Sequence, residues 1–254
     1  MQTIQKASPH RRRNRGGFSL VEMLVVTSII ALLAGLVFPV TNKLRDKGKE
    51  IQCANNIKQL MTAMMQYVDE HRAIFPEDGS TSSGSGGAAS KAWYDVLPPY
   101  IAMTPFYELQ QKGKVPAPGA GKSTFICPSA PIVGELVAGA NAGMQNKYSY
   151  SYGMNYWINA PKESKKFTSP MYLSQVEHSE LFVVFSETEA HTHKTVALYP
   201  SGGGSTPAYR HGKRVNCGFA DGHVAAVTAE LAKGLQWNPD FEPGQEPDSG
   251  GGGN

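Results

Sequence analysis

Histidine and carboxylate side chains near the C-terminus are of the types that bind metal ions. His211, Asp221 and His223 lie in one short stretch, and imidazole and carboxylate groups are common ligands for divalent cations. Further groups of the same kind lie upstream: Glu187, Glu189, His191 and His193. The spacing is loose, because no pair falls on one helical face as in a His-Glu-x-x-His motif. The alternative is structural, with Asp221 hydrogen-bonding its own turn and His211 anchoring the loop to a hairpin.

The pair Asp221-Gly222 lies between two runs of apolar and small residues. Asp-Gly suits the positive φ angles of a two-residue turn, so we predict a β-hairpin here. In that register Phe219 faces Val224, and His223 lies on the other side of the ribbon.

Catalytic chemistry has little support in the sequence. The chain has three cysteines, but no histidine partner or reactive setting marks a catalytic thiol. Residues 121–124 look like the end of a phosphate-binding loop, yet Pro116 stands where that loop needs its first glycine. We therefore predict that the protein is not an enzyme.

The N-terminal segment has the composition of a membrane anchor. Residues 23–42 are twenty residues without a charge, about the length of a helix that crosses ~30 Å of hydrocarbon. The first 17 residues hold five of the 24 basic residues and none of the 21 acids, which predicts a cytoplasmic N-terminus. The rest of the chain is slightly acidic, so we expect no nucleic-acid partner. Ala34-Gly35-Leu36 offers only a weak site for ordinary signal cleavage.

Glu22 lies just before this run, where a charge at membrane depth costs ~2.5–3.5 kcal/mol. Together with the basic leader, Gly17-Phe18 and Pro39, it resembles the N-terminal signal of type IV prepilins and type II secretion pseudopilins. The resemblance implies that a prepilin peptidase cleaves after Gly17 and methylates the amino group of Phe18. It also implies that Glu22 neutralises the terminal amine of a neighbouring subunit during assembly, and that Pro39 kinks the helix, as its chemistry also predicts.

A second resemblance touches most of the chain. His211, nine intervening residues and Asp221-Gly222 resemble the processing-associated H-X9-DG domain of prepilin-like proteins. Three further stretches are similar to the same family: residues 53–60, 127–129 and 151–155. One departure is Ser186-Glu187, where many relatives carry an aspartate after the apolar strand.

The predicted fold is α+β, with a pilin-like long N-terminal helix packed on a small antiparallel β-sheet with long loops. Apolar residues from Leu44 to Val68 recur at helical spacing, and Phe75-Pro76 ends the helix. A methionine-rich stripe on this helix is predicted to fill the core.

The predicted parts are a leader (1–17), the membrane-spanning half of the helix (18–42), its amphipathic half (43–72), a periplasmic α+β domain (73–237) with the hairpin motif at 211–222, and a disordered tail (238–254).

An extracytoplasmic domain permits disulfides, and Cys53 and Cys127 are candidates for one, which leaves Cys217 buried in its strand. The sequence does not decide this pairing. Resemblance to major pseudopilins admits a structural divalent cation such as calcium, although no calcium loop is present.

The functional expectation is a structural subunit of the inner membrane. We expect a single-pass protein whose partners are a prepilin peptidase and other pilin or pseudopilin subunits in a helical filament. The filament is either a secretion pseudopilus or a surface pilus, and the subunit either major or minor. The alternating tyrosines Tyr148, Tyr150 and Tyr152 share one face of a strand, which we predict packs against loops. The alternative function is an anchored extracytoplasmic module that binds a glycan, a metal ion or an envelope partner through this aromatic face and the His/Asp hairpin.

Overall fold

The computed structural model describes residues 19–78, 91–112, 123–130, 150–159, 171–191, 197–198, 206–240 and 242–245. The chain divides into two units, Met1–Arg45 and Asp46–Asn254. Gly17 and Phe18, at the predicted processing site, lie outside the described residues.

One long helix, α1, runs over Leu20–Glu70. Its N-terminus is capped by side chains: the Ser19 hydroxyl accepts from Val21 N at 3.3 Å, and the Glu22 carboxylate accepts from Ser19 N at 2.7 Å. It ends where Arg72 and Ala73 adopt positive φ angles. The helix continues through Pro39, so this proline does not end it, and a kink there stays a prediction.

The buried stripe of α1 begins later than its apolar periodicity suggests. Leu44 and Ile51 fit the pattern but are exposed, whereas burial starts at Cys53 and continues through Val68. Met61 and Met64 are buried in this stripe, which confirms the prediction that the methionines fill the core. Periodicity identifies the apolar face of a helix but not where the partner surface begins.

The sheet has the strand order β3-β1-β2-β4-β5. The strands are β1 (Tyr150–Asn155), β2 (Val183–His191), β3 (Ala197–Leu198), β4 (Arg214–Phe219) and β5 (Val224–Thr228). β1, β2, β4 and β5 pair antiparallel, while β3 joins β1 in parallel. The predicted α+β fold with a long N-terminal helix and a small antiparallel sheet is confirmed.

α1 packs against β4 at a glycine. A Cβ on Gly218 would meet Met61 Cγ at 2.5 Å and Ile57 Cγ2 at 3.1 Å, so the side chains of α1 approach the strand backbone closely. The described residues also include three short α-helices, namely α2 (Trp93–Val96), α3 (Phe106–Gln111) and α4 (Ala229–Ala232). Trp93 is fully buried and lies 5.1 Å from the Phe185 ring, centroid to centroid.

The start of the predicted disordered tail is ordered. Asn238 is buried, and Gly244 N donates to Leu235 O at 3.3 Å. Burial of Trp237 beside α4 explains this order, because it holds the following residues against the domain. Residues 246–254 lie outside the described residues.

Candidate functional site

A type I′ turn places His211 at the entrance to β4. Gly212 and Lys213 both have φ near +60°, at +60° and +64°, and His211 and Arg214 exchange backbone hydrogen bonds of 3.2 and 3.1 Å. The preceding residues run along β2, where Ala208 N donates to Glu187 O at 2.9 Å. The turn and this pairing bring the His211 ring to the side chain of Glu187.

His211 and Glu187 form a buried pair. His211 Nε2 lies 2.8 Å from Glu187 Oε1, and the two side chains are 3% and 0% exposed. Asn216 also binds the Glu187 carboxylate. Its Nδ2 donates to Glu187 Oε1 at 3.2 Å, and its backbone N donates to Glu187 Oε2 at 3.0 Å. A carboxylate this deep is costly unless hydrogen bonds replace its hydration. The Glu187 carboxylate has donors on both oxygens.

A disulfide lies beside this pair. Cys53 of α1 is bonded to Cys127, with the Cα atoms 5.1 Å apart, and Cys127 Sγ is 3.5 Å from His211 Nε2. The ligand-type atoms of Cys53, Cys127, Glu187 and His211 all lie within 4.8 Å of one another, and all four residues are buried. Side chains from four segments thus meet at one point: α1, residues 123–130, β2 and the turn before β4.

The surrounding polar groups hold this junction in place. Asn56 Nδ2 donates to Ile126 O at 3.2 Å and to the Tyr152 hydroxyl at 3.1 Å. Tyr152 is fully buried and burial raises its pKa, which agrees with the predicted packing of this residue and not with the alternative, an exposed aromatic binding surface. Tyr148 and the side chain of Tyr150 lie outside the described residues.

The hairpin at Asp221-Gly222 exists, but its predicted register is wrong by one residue. Gly218 pairs with Val224, and Phe219 N donates to His223 O at 3.0 Å, which leaves a three-residue loop with Gly222 at φ +91°. His223 therefore lies across from Phe219, and their rings stack at 4.2 Å between centroids.

Contacts outside the hairpin explain the longer loop. Ala220 N donates to Phe182 O at 3.0 Å and Asp221 N to Ser179 O at 3.1 Å. These bonds pull the tip of the hairpin onto the segment before β2. The pattern of apolar residues along two strands does not contain that information.

Asp221 accepts from His223 N at 3.0 Å, and its Oδ1 lies 2.6 Å from His223 Nδ1. Partial desolvation raises the pKa of Asp221, but the hydrogen bonds from His223 outweigh it and hold the pKa below its usual value. Asp221 thus binds its own turn, in agreement with the structural alternative.

The predicted metal set is not brought together. His211 lies before β4 with Glu187 and the disulfide, whereas Asp221 and His223 lie after its other end. The side chains of Glu189, His191 and His193 are outside the described residues. Calcium binding stays a prediction.

The apolar half of α1 is exposed at nearly all of its described side chains. Leu20, Leu36 and Phe38 are 81, 70 and 72% exposed, and among the described helices α1 is the one long and apolar enough to span a membrane. Such a surface requires lipid or another apolar helix as a partner. Glu22 lies on this segment and has the Ser19 backbone as its partner.

A cleft of about 800 Å³ lies at the C-terminal end of α1. Tyr67, His71 and Tyr100 line it; the Tyr67 and His71 rings stack at 3.9 Å, and the Tyr100 hydroxyl donates to Glu70 at 2.7 Å. Desolvation and then this bond to Glu70 raise the pKa of Tyr100 to about 12.

Comparison with known proteins agrees with these features. Residues 12–38 match the prokaryotic N-terminal methylation motif, and residues 43–177, more than half of the chain, match a family described as a protein of unknown function, DUF1559. The chain belongs to the DUF1559 family. Its methylation motif overlaps the leader and the exposed half of α1, so this DUF1559 protein is prepilin-like.

One curated relative is a pilin. A stretch of 65 residues is 34% identical to the type IV major pilin protein PilA of Myxococcus xanthus (strain DK1622), covering 26% of this chain and 29% of that pilin. The DUF1559 chain thus matches less than a third of the length of that relative. No solved structure matches the chain.

The sequence indicated several groups but missed their central contact. His211 was singled out with Asp221, yet its partner is Glu187, which was treated as an upstream ligand and a family departure. A signal was present, because a carboxylate that ends an apolar strand must find a partner if the strand is buried. Asn56 and Asn216 were not singled out for the site.

Proposed function

We propose that the protein is a structural prepilin-like subunit, cleaved after Gly17 and methylated at Phe18 by a prepilin peptidase. The basic leader stays in the cytoplasm, α1 anchors the precursor in the inner membrane, and the folded unit lies in the periplasm. The mature subunit then enters a type II secretion pseudopilus or a type IV pilus-like filament. The observation that carries this proposal is the overlap of the methylation motif with an exposed apolar helix.

Assembly accounts for both unusual features of α1. Exposed leucines leave lipid only if another apolar surface replaces it, which neighbouring subunits provide through their own helices. Glu22 is costly in hydrocarbon when uncompensated, and the new amino group of a neighbour's Phe18 supplies a positive charge. Subunit packing therefore satisfies the apolar surface and the carboxylate together.

Two substitutions of Glu22 separate charge pairing from helix capping. Glu22→Ala removes both the charge and the acceptor for Ser19 N, whereas Glu22→Gln keeps an acceptor and removes the charge. We expect both variants to be cleaved normally and to be lost from sheared filaments, measured by immunoblot of filament and membrane fractions. Normal incorporation of Glu22→Gln would show that capping alone is required and would contradict the pairing.

A second candidate function is that of an anchored binding module. The cleft beside Tyr67 and Tyr100 favours it, because stacked aromatic rings with a nearby carboxylate suit a glycan ring. This function predicts a monomeric protein that keeps its leader and binds a glycan saturably. Tyr67→Ala should then abolish glycan binding in a titration, with Tyr172→Ala, an exposed tyrosine that is not among the lining residues, as the control.

A further inference from the structure

Four side chains with metal-ligand chemistry converge from four separate segments. Cys53, Cys127, Glu187 and His211 form, among the described residues, the one group of three or more such side chains whose ligand atoms lie within reach of a single ion. All four are buried, and their mutual distances are at most 4.8 Å. In the present state the two sulfur atoms are bonded to each other.

We propose that reduction of the Cys53–Cys127 disulfide converts this cluster into a tetrahedral zinc site with two sulfur, one nitrogen and one oxygen ligand. Zinc bonds of about 2.0–2.3 Å place tetrahedral ligand atoms roughly 3.3–3.8 Å apart. His211 Nε2 is already 3.5 Å from Cys127 Sγ and 2.8 Å from Glu187 Oε1. Small rotations of these side chains, with separation of the two sulfurs, create the site.

The reaction balances with a dithiol as the reductant. The dithiol passes two electrons and two protons to the Cys53–Cys127 bond and itself becomes a disulfide. Zinc then displaces the two thiol protons, which go to solvent, and binds both thiolates. His211 binds through Nε2 in the tautomer that carries its proton on Nδ1, and Glu187 contributes Oε1.

The charge of the buried cluster is the same in both states. With a neutral His211, the disulfide form carries the single negative charge of Glu187. The zinc form carries two thiolates, one carboxylate and a doubly charged ion, which again sum to one negative charge. Exchange of the disulfide for zinc therefore adds no net buried charge, which is the usual obstacle to placing an ion in a core.

Asn216 is a supporting residue for this site. Its backbone N and its Nδ2 hold the two oxygens of Glu187, which fixes the carboxylate toward His211 as outer hydrogen bonds do in many zinc sites. The sulfur ligands select zinc and similar ions over calcium. In either state α1 stays fastened to residues 123–130, so the domain keeps its cross-link when the disulfide is reduced.

Cobalt binding to the full-length protein tests the proposal. The protein in detergent is reduced with a phosphine, and the phosphine is then removed under anaerobic conditions. The reduced protein is titrated with Co²⁺ alone. We expect one Co²⁺ per chain, with the visible bands of tetrahedral cobalt, a thiolate-to-cobalt charge-transfer band, and displacement by Zn²⁺. The disulfide-bonded protein should bind none, and Cys217→Ser, which removes the cysteine outside the cluster, should bind as the unaltered chain does.

Two variants distinguish the site from free thiols. Glu187→Gln preserves the size of the side chain and His211→Ala removes the nitrogen ligand; each should weaken Co²⁺ binding at least about tenfold. If the reduced chain loses its circular dichroism signal, Zn²⁺ should restore it. The proposal is overturned by no uptake, by equal uptake in both variants, by equal uptake in the disulfide form, or by zinc that fails to restore a lost fold.

Discussion

At the scale of single residues, the pair of Glu187 and His211 compensates a fully buried carboxylate. Among the described residues, His211→Ala leaves that carboxylate with Asn216 as its donor. We expect a loss of roughly 3–5 kcal/mol in the free energy of unfolding. Urea denaturation of the disulfide-bonded chain in detergent, followed by fluorescence of the buried Trp93 and Trp237, measures it.

His223→Ala is the matched control, because His223 also pairs with a carboxylate but is half-exposed. It should cost less than about 1 kcal/mol. A double-mutant cycle of His211→Ala with Glu187→Gln should show coupling of ~0.5–3 kcal/mol. Additive effects would mean that the two side chains do not depend on each other.

Cysteine chemistry gives a second test at this scale. Cys217 is fully buried, and burial raises the pKa of its thiol to about 12. In the folded protein at pH 8 we expect iodoacetamide to modify none of the three cysteines. One should react after denaturation and all three after reduction as well, counted by mass spectrometry. Rapid modification of the native protein would contradict the burial of Cys217.

The raised pKa of Cys217 also predicts how the stability of the folded protein depends on pH. An unfolded thiol ionises near 9.0, whereas the folded Cys217 keeps its proton to about 12. Between these values the folded state binds the extra proton, so the contribution of Cys217 to stability falls as pH rises above about 9. Cys217→Ala should flatten that part of the melting-temperature profile.

At the scale of elements, the contact of α1 with β4 depends on the absence of a side chain at Gly218. Gly218→Ala places a methyl group 2.5 Å from Met61 Cγ and 3.1 Å from Ile57 Cγ2. We expect the free energy of unfolding to fall by about 1–3 kcal/mol, because the core must shift. Urea denaturation measures this loss.

Gly48→Ala is the control within α1. Its added Cβ meets nothing within 4 Å, and alanine in a helix is favoured over glycine by about 0.5–1 kcal/mol. Gly48→Ala should therefore be neutral or stabilising. Equal destabilisation by the two substitutions would rule out the helix–strand contact as the cause.

Elements could be predicted more fully than their contacts. The apolar run, the amphipathic periodicity and Phe75-Pro76 predicted a helix over residues 18–72, and α1 runs over Leu20–Glu70. Asp221-Gly222 located a hairpin but not its register, since backbone bonds to Ser179 and Phe182 decide the loop. Local patterns act within an element, whereas register and burial depend on neighbours far away in sequence.

The contacts of the candidate site could be predicted even less well from the sequence. The sequence marked Cys53 with Cys127, and His211 apart from them, and the structure places all three with Glu187 from four segments. Nothing in the spacing of these residues specifies that meeting point, because the turn at His211 and the pairing along β2 create it.

At the scale of the whole molecule, the proposed function is one sequence of events. In that proposal the leader directs insertion, the exposed half of α1 holds the precursor in the membrane, and processing at Gly17 creates the charged amine that pairs with Glu22 of another subunit. Within the folded unit, the disulfide fastens α1 to residues 123–130, and the buried Glu187–His211 pair fastens β2 to the turn before β4. Processing is the step on which every later event depends.

Mass spectrometry of the N-terminal peptide, from protein isolated from its native membrane fraction, tests this claim most directly. The account predicts a peptide that begins at Phe18 and carries one methyl group on its amino nitrogen. An intact leader beginning at Met1 would contradict processing and favour the anchored binding module. A terminus near Gly35 would mean ordinary signal cleavage, which removes Glu22 and with it the proposed role in assembly.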